Sequence, residues 1–235
     1  MAKIDDRTFL YINDPEFLRE YLEIFNSRLI YTNNKFEDDT DIDKLYDDES
    51  ILKLRDNYKA IKILYKELKN RSKLTEDLII KVANTINKHS MFISEGYRKI
   101  GYNVKLNDRY PIDNPEDIKE DLAILLDKYY NEWKDMDIFE REARFNVEFI
   151  RIHPFEDGNG RTSRLLLNYN LARQLQAPVL IPEGIREEFL RASDKNDIDW
   201  IKRLYEVLSN KELRAINNLI DYYENDKEME REKSL

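Results

Sequence analysis

The chain has 235 residues, 41% hydrophobic and 37% charged, with a formal net charge of −9; it can bury one sizeable core and is too apolar to be disordered by composition. The acidic balance repels polyanions and weighs against a dedicated nucleic-acid binder, and the lack of cysteine excludes disulfides, thiolate zinc sites and cysteine nucleophiles. No apolar h-region opens the sequence and no window approaches the roughly 18–20 apolar residues of a membrane span, so a soluble, cytoplasmic protein with no membrane partner is expected.

Apolar periodicity is helical almost throughout, which predicts an all-α fold in one helical unit. In "NDPEFLREYLEIF", Asp14 caps a helix with Pro15 in its first turn, and Phe17, Leu18, Tyr21, Leu22 and Phe25 form its core stripe. The stretch "YTNNKFEDDTDID" that follows reads as a polar, acidic loop. Helices are next expected over about 50–68 and 75–87. The exception is "GYNVKLNDRYPI", residues 101–112. Its alternation around Val104 and Leu106, its Asn-Asp pair and Pro111 suit a short extended flap or β-hairpin. Asn114 and Pro115 start another helix whose stripe is Ile118, Leu122, Leu125, Leu126 and Tyr129. Further helices are expected over 139–152, 162–174, 183–191, 197–208 and 212–223, ending in a charged tail that frays.

Chemistry concentrates in "IRIHPFEDGNGRTSRLLLN", residues 150–168, which holds two of the chain's five glycines and one of its two histidines. An apolar helix delivers His153 at its end, a tight turn follows, and a second helix starts near Arg161. A glycine-bracketed turn at a helix N-terminus aims backbone N–H groups and the positive end of the dipole at a phosphate, and Asn159 adds a side-chain donor. Arg161 and Arg164, three apart, lie near each other on the first turn, where two guanidinium forks can hold a polyphosphate. Asp157 stands where a carboxylate helps hold Mg²⁺ beside a nucleotide, and His153 is suited to act as a base near neutral pH. Phe155 reads as a buried anchor of the turn and His89 as structural.

The segment "HPFEDGNGRTSR" resembles the Fic motif, H-P-F-x-[D/E]-G-N-G-R-x-x-R, at every defined position. The flanking "ARFNVEFIRI" and "LLLN", together with "ISEGYR" and "RASDKNDIDWIKRL", look like the rest of a Fic core over residues 75–208. The resemblance implies a Fic fold with a short β-hairpin flap near the active-site loop. It implies a protein adenylyltransferase that moves AMP from ATP onto a tyrosine, threonine or serine hydroxyl of a target protein, or of itself, releasing pyrophosphate. On that basis His153 is the base and Asp157 the Mg²⁺ ligand. Gly158, Asn159 and Gly160 form the anion hole, and Arg161 and Arg164 hold the β and γ phosphates. The flap residues Asn103, Val104, Lys105 and Leu106 would dock the target as an added strand. The chain then divides into an N-terminal helical part, 1–74, the Fic core, 75–208, and a C-terminal helix with its charged tail, 209–235.

Many Fic proteins carry an inhibitory helix, [S/T]-x-x-x-E-[G/N], whose glutamate pairs with the second motif arginine. The corresponding segment is "SRLIYTNN", residues 27–34, overlapping the inhibitory-helix-like stretch 25–33. Ser27, Ile30 and Asn33 match members with an N-terminal inhibitory helix, but Tyr31 stands at the glutamate position. A neutral phenol can at most hydrogen-bond or stack on Arg164, so inhibition is expected to be relaxed or to use another contact. Phosphocholine transfer, Doc-like phosphorylation and a catalytically silent interaction module stay open, although Doc has lysine where this chain has Gly160. A homodimer and an antitoxin-like regulator stay open as well.

Overall fold

The computed structural model describes residues 4–37, 48–90, 95–99 and 114–233. None of the described residues lies in a β-strand. The expected flap at 101–112, with Asn103 to Leu106, and residues 38–43 of the expected acidic loop lie outside them. Nine α-helices are present among the described residues: α1 (Asp6–Ile12), α2 (Pro15–Glu37), α3 (Asp48–Lys69), α4 (Glu76–Ile86), α5 (Ile118–Asp127), α6 (Ile138–Ile152), α7 (Asn159–Arg173), α8 (Arg186–Asp194) and α9 (Ile198–Lys233). None of them is long and apolar enough to cross a membrane.

Helix starts follow local chemistry. Asp14 accepts from the N–H groups of Glu16 and Phe17 at 2.9 and 3.0 Å, Thr75 caps α4, and Asp137 accepts from Phe139 and Glu140 ahead of α6. The start after Pro115 is later than expected: Asn114 donates to Asp117 across a turn, α5 begins at Ile118, and a π-helical turn, Lys128–Glu132, follows it. The predicted stripes are in the core, with Phe17, Tyr21, Phe25, Ile118, Leu122, Leu125 and Tyr129 buried.

Two expectations are corrected by tertiary contact. Residues 31–37 are not loop but the last turns of α2, because Asn33 and Asn34 find partners: Asn34 bonds back to Ile30 and out to Asn57, and Asn33 is buried against α3 and α7. The two C-terminal helices are one. The polar "SNKE" between them is absorbed, with Ser209 donating to the Ala177 carbonyl, Asn210 to the Glu206 carbonyl, and Glu212 taking the Arg28 fork at 2.9 and 3.0 Å. The charged tail continues that helix to Lys233. Helix α1, Asp6–Ile12, is not among the helices expected from the sequence. It is held on α9 by Arg7 to Asp221 and Glu224 and by Thr8 to Asn217.

Helix α7 occupies the centre. Its sequence looks polar, yet of the residues from Asn159 to Leu171 all but Gly160 are buried. It packs against α2, α3, α4 and α6, and α6 in turn packs against α5 and α9. Buried polar groups on such a helix need partners. Asn168 clasps the backbone of Val179 through both N–H and C=O, at 2.7 and 2.9 Å, and Asn170 donates to Glu142 at 2.9 Å. Glu142 is buried with the Tyr129 hydroxyl on its other oxygen, and burial pushes its carboxyl up to about 7.

Candidate active site

The α6–α7 connection is folded by its own residues. Helix α6 ends with His153 in the left-handed region, φ 49° and ψ 59°, still bonded to the Phe149 carbonyl. Arg98, 1% exposed, fixes the next two carbonyls: its Nε donates to His153 O and its backbone N–H to Pro154 O, both at 2.9 Å. Phe155 is buried between the rings of Tyr97 and Phe149, so the turn is anchored as its sequence predicts. The Asn159 carboxamide closes the loop, donating to Phe155 O at 2.8 Å and accepting from Phe155 N at 3.0 Å. The side-chain donor expected for a phosphate is therefore used inside the loop, and at this turn the anion-facing groups are backbone ones.

Gly158 is the N-cap of α7, at φ 73°. A Cβ there would lie 2.5 Å from Asn87 Oδ1, so both backbone conformation and space demand glycine. Beyond it the N–H groups of Asn159, Gly160 and Arg161 open the helix with no intrahelical carbonyl to bond, a geometry that favours anions. Asp157, half-exposed, accepts from Gly158 N at 2.6 Å and from Arg161 Nη2 at 2.8 Å.

The structure brings the two arginines together on the inner face of α7, 4% and 6% exposed. Arg161 is held by Asp157 and, at 3.4 Å, by Asn87 Oδ1. Arg164 is held by α2: its Nε donates to Asn33 Oδ1 at 2.6 Å and its Nη2 to the Asn33 carbonyl at 3.1 Å. Asn33 Nδ2 reaches Asn57 Oδ1 and the Arg161 carbonyl at 3.3 and 3.4 Å.

The segment expected to regulate the site lies on α2, and the residue of it that contacts Arg164 is Asn33 rather than Tyr31. Tyr31 is 52% exposed beside Arg28, Leu180 and Lys211, away from Arg164. Among the described residues Ser27 bonds only within its own helix, to the Glu23 carbonyl. Helical geometry explains this, because residues 31 and 33 differ by about 200° around the axis. Residues that sequence reasoning missed are Asn87, Asn57 and Arg98. Asn87 carried no signal beyond a helix end; Arg98 lay within "ISEGYR" without a role.

Residues 73–171 match the Fic/DOC family. The protein adenylyltransferase fic-1 of Caenorhabditis briggsae is 42% identical over 76 residues, covering 32% of this chain and 15% of that protein. The protein adenylyltransferase Fic of Drosophila willistoni is 37% identical over 87 residues, covering 33% and 17%. The aligned stretch thus spans less than a fifth of either curated relative. The crystal structure of a Fic domain containing signaling protein from Bacteroides thetaiotaomicron superposes with a TM-score of 0.73 at 22% identity, covering 88% of this chain and 89% of that one. Fic-1 from Caenorhabditis elegans gives 0.68 at 21% identity, covering 87% and 64%. With the motif on the α6–α7 turn and this helical architecture around it, residues 73–171 carry a Fic domain, and the helical fold around that domain is the one seen in solved Fic-domain structures.

Proposed function

We propose that the chain is a protein adenylyltransferase that transfers AMP from ATP to a hydroxyl side chain of a target protein, and that its own hydroxyls are a further acceptor class. The observation that carries the reading is the arrangement over 153–164: a histidine at the end of α6, a glycine-capped N-terminus of α7, and two buried arginines on that helix. In this reading His153 takes the proton of the attacking hydroxyl. The new bond forms from that oxygen to the α phosphorus, and the bond from the α phosphorus to the β-bridging oxygen breaks. The charge gathering on the departing pyrophosphate falls to Arg161, Arg164 and the free N–H groups of Asn159 and Gly160. The flap residues 103–106 keep their expected role in docking the target.

Mg²⁺ fits the donor set in a limited way. Among the described residues no cluster of three or more acidic or histidine side chains could cage a metal. The half-exposed Asp157 carboxylate has lone pairs to spare, and Mg²⁺ takes one or two carboxylates while nucleotide phosphates and water complete its shell. Bound there, the cation would supply charge neutralisation at the phosphates.

Regulation belongs to the same reading. Arg164 cannot serve Asn33 and a γ phosphate with the same N–H groups, so the α2 contact competes with ATP. The contact is neutral where the inhibitory glutamate of related proteins is charged, which makes this a weaker brake. Incubation with ATP labelled at the α position tests the function: label should enter protein in the wild type and not in His153→Ala. Transfer of γ label instead would replace the reading with phosphorylation, and no label from either position under any condition would discard it.

A further inference from the structure

Asn87 lies outside the motif, 70 residues before Asp157, at the C-terminal end of α4, yet its side chain is built into the loop. It is 4% exposed. Its Nδ2 donates to the Asp157 carbonyl at 2.7 Å, and its Oδ1 accepts from Arg161 Nη2 at 3.4 Å. The same Nη2 reaches Asp157 Oδ2 at 2.8 Å, so Asn87, Asp157 and Arg161 close a ring. The carboxamide also fills the space beside Gly158, where a Cβ would lie 2.5 Å from Oδ1 and 3.0 Å from Nδ2. Among the described residues the buried Arg161 Nε has no hydrogen-bond partner, so these contacts are the ones that fix the orientation of the guanidinium.

We propose that Asn87 is a positioning residue for nucleotide polyphosphate: it aims Arg161 from the rigid end of α4 and ties the loop to that helix. The inference rests on the nucleotide-binding reading of the site. Asp157 cannot do this alone, because a carboxylate that turns to a cation or meets phosphate gives up its hold on Arg161. An amide suits this position because it accepts from the guanidinium and donates to the loop carbonyl without adding negative charge beside the phosphates. Because Arg161 serves the outer phosphates, loss of Asn87 should weaken binding of ATP and leave AMP nearly unaffected. A general loosening of the loop would weaken both.

The test is calorimetric binding of ATP and of AMP, each with Mg²⁺, to the full chain as wild type, Asn87→Ala and Asn87→Asp. The Asp variant is nearly isosteric and guards against a fold lost with the alanine. It also replaces the donor to the Asp157 carbonyl with a carboxylate that holds Arg161 and repels phosphate. Expected are a roughly tenfold loss of ATP affinity in Asn87→Ala, a larger loss in Asn87→Asp, and AMP affinity within about twofold of wild type in both. Unchanged ATP affinity in either variant, or parallel losses for ATP and AMP, overturns the positioning role. A wild type that binds ATP no more tightly than AMP overturns the polyphosphate reading itself, and the inference with it.

Discussion

The contact between α2 and Arg164 makes a sharp prediction, because the residue that carries it is not the one that alignment of the inhibitory segment points to. Replacing Asn33 by aspartate keeps the shape of the side chain and puts a carboxylate on Arg164 Nε, where the amide oxygen now lies at 2.6 Å. The change gives up two long bonds, from Nδ2 to Asn57 and to the Arg161 carbonyl at 3.3 and 3.4 Å, whose loss costs about 1 kcal/mol together. It turns a bond that is charged on the arginine side alone into a buried ion pair, a stronger contact. It also sets a negative charge near any γ phosphate reaching Arg164; two unit charges 4 Å apart repel by about 4 kcal/mol at an effective dielectric of 20. Even if burial of the carboxylate and rearrangement remove most of that, about 1.4 kcal/mol remaining corresponds to tenfold. Asn33→Asp should therefore weaken ATP binding at least about tenfold, read as KM for ATP in the α-label assay or by calorimetry. Asn33→Ala should tighten ATP binding while lowering stability by about 1–3 kcal/mol, since it strips partners from buried groups. Tyr31→Glu places its charge at a position 52% exposed and turned from Arg164, and should leave ATP binding within about twofold. A Tyr31→Glu variant weaker for ATP than Asn33→Asp would refute the assignment of the contact to Asn33.

Gly158→Ala should lower stability by more than the roughly 1–2 kcal/mol of left-handed strain, because its methyl also meets Asn87, and should lower AMP transfer with it; melting temperature and label incorporation report the two effects. Glu142 has a folded-state pKa of about 7 against an ordinary 4.5, so between those values the folded chain binds more protons than the unfolded one, and its stability falls as pH rises through that window. Denaturant melts should show a slope approaching about 1 kcal/mol per pH unit from this group; Glu142→Gln should flatten it, and an unchanged slope would assign it elsewhere. Arg28→Ala leaves Glu212, whose side chain is 2% exposed, without its fork and should cost about 1–3 kcal/mol, a few degrees of melting temperature, because α2 then loses its ion pair to α9.

Much of the fold is local. Asp14 with Pro15, Thr75 and the apolar stripes of α2 and α5 specify helices through capping and burial that neighbouring residues decide, so they are legible in sequence. The spacing of His153, Gly158, Arg161 and Arg164 was legible for a similar reason: the chemistry of a helix end, a tight turn and a helix start lies within twelve residues of chain. The polar turns of α2 beyond Tyr31 and the "SNKE" inside α9 were not. Their helicity depends on partners 20 to more than 180 residues away, with Asn33 reaching Arg164 and Glu212 reaching Arg28. Helix α1 likewise exists by docking onto α9 rather than by its own periodicity.

The site divides along the same line. Sequence by itself determined the helical class, the glycine-capped turn and the set of groups at residues 153–164, because each follows from side-chain chemistry at fixed spacing. Only the tertiary structure decided which groups face those residues: that Asn159 spends its amide closing the loop, that Asn87 stands under Gly158, and that Asn33 rather than Tyr31 meets Arg164. The reason is geometric. A helix turns about 100° per residue, so two positions along the chain can change which side chain reaches a partner, and only the packing of α2, α4 and α7 fixes that angle.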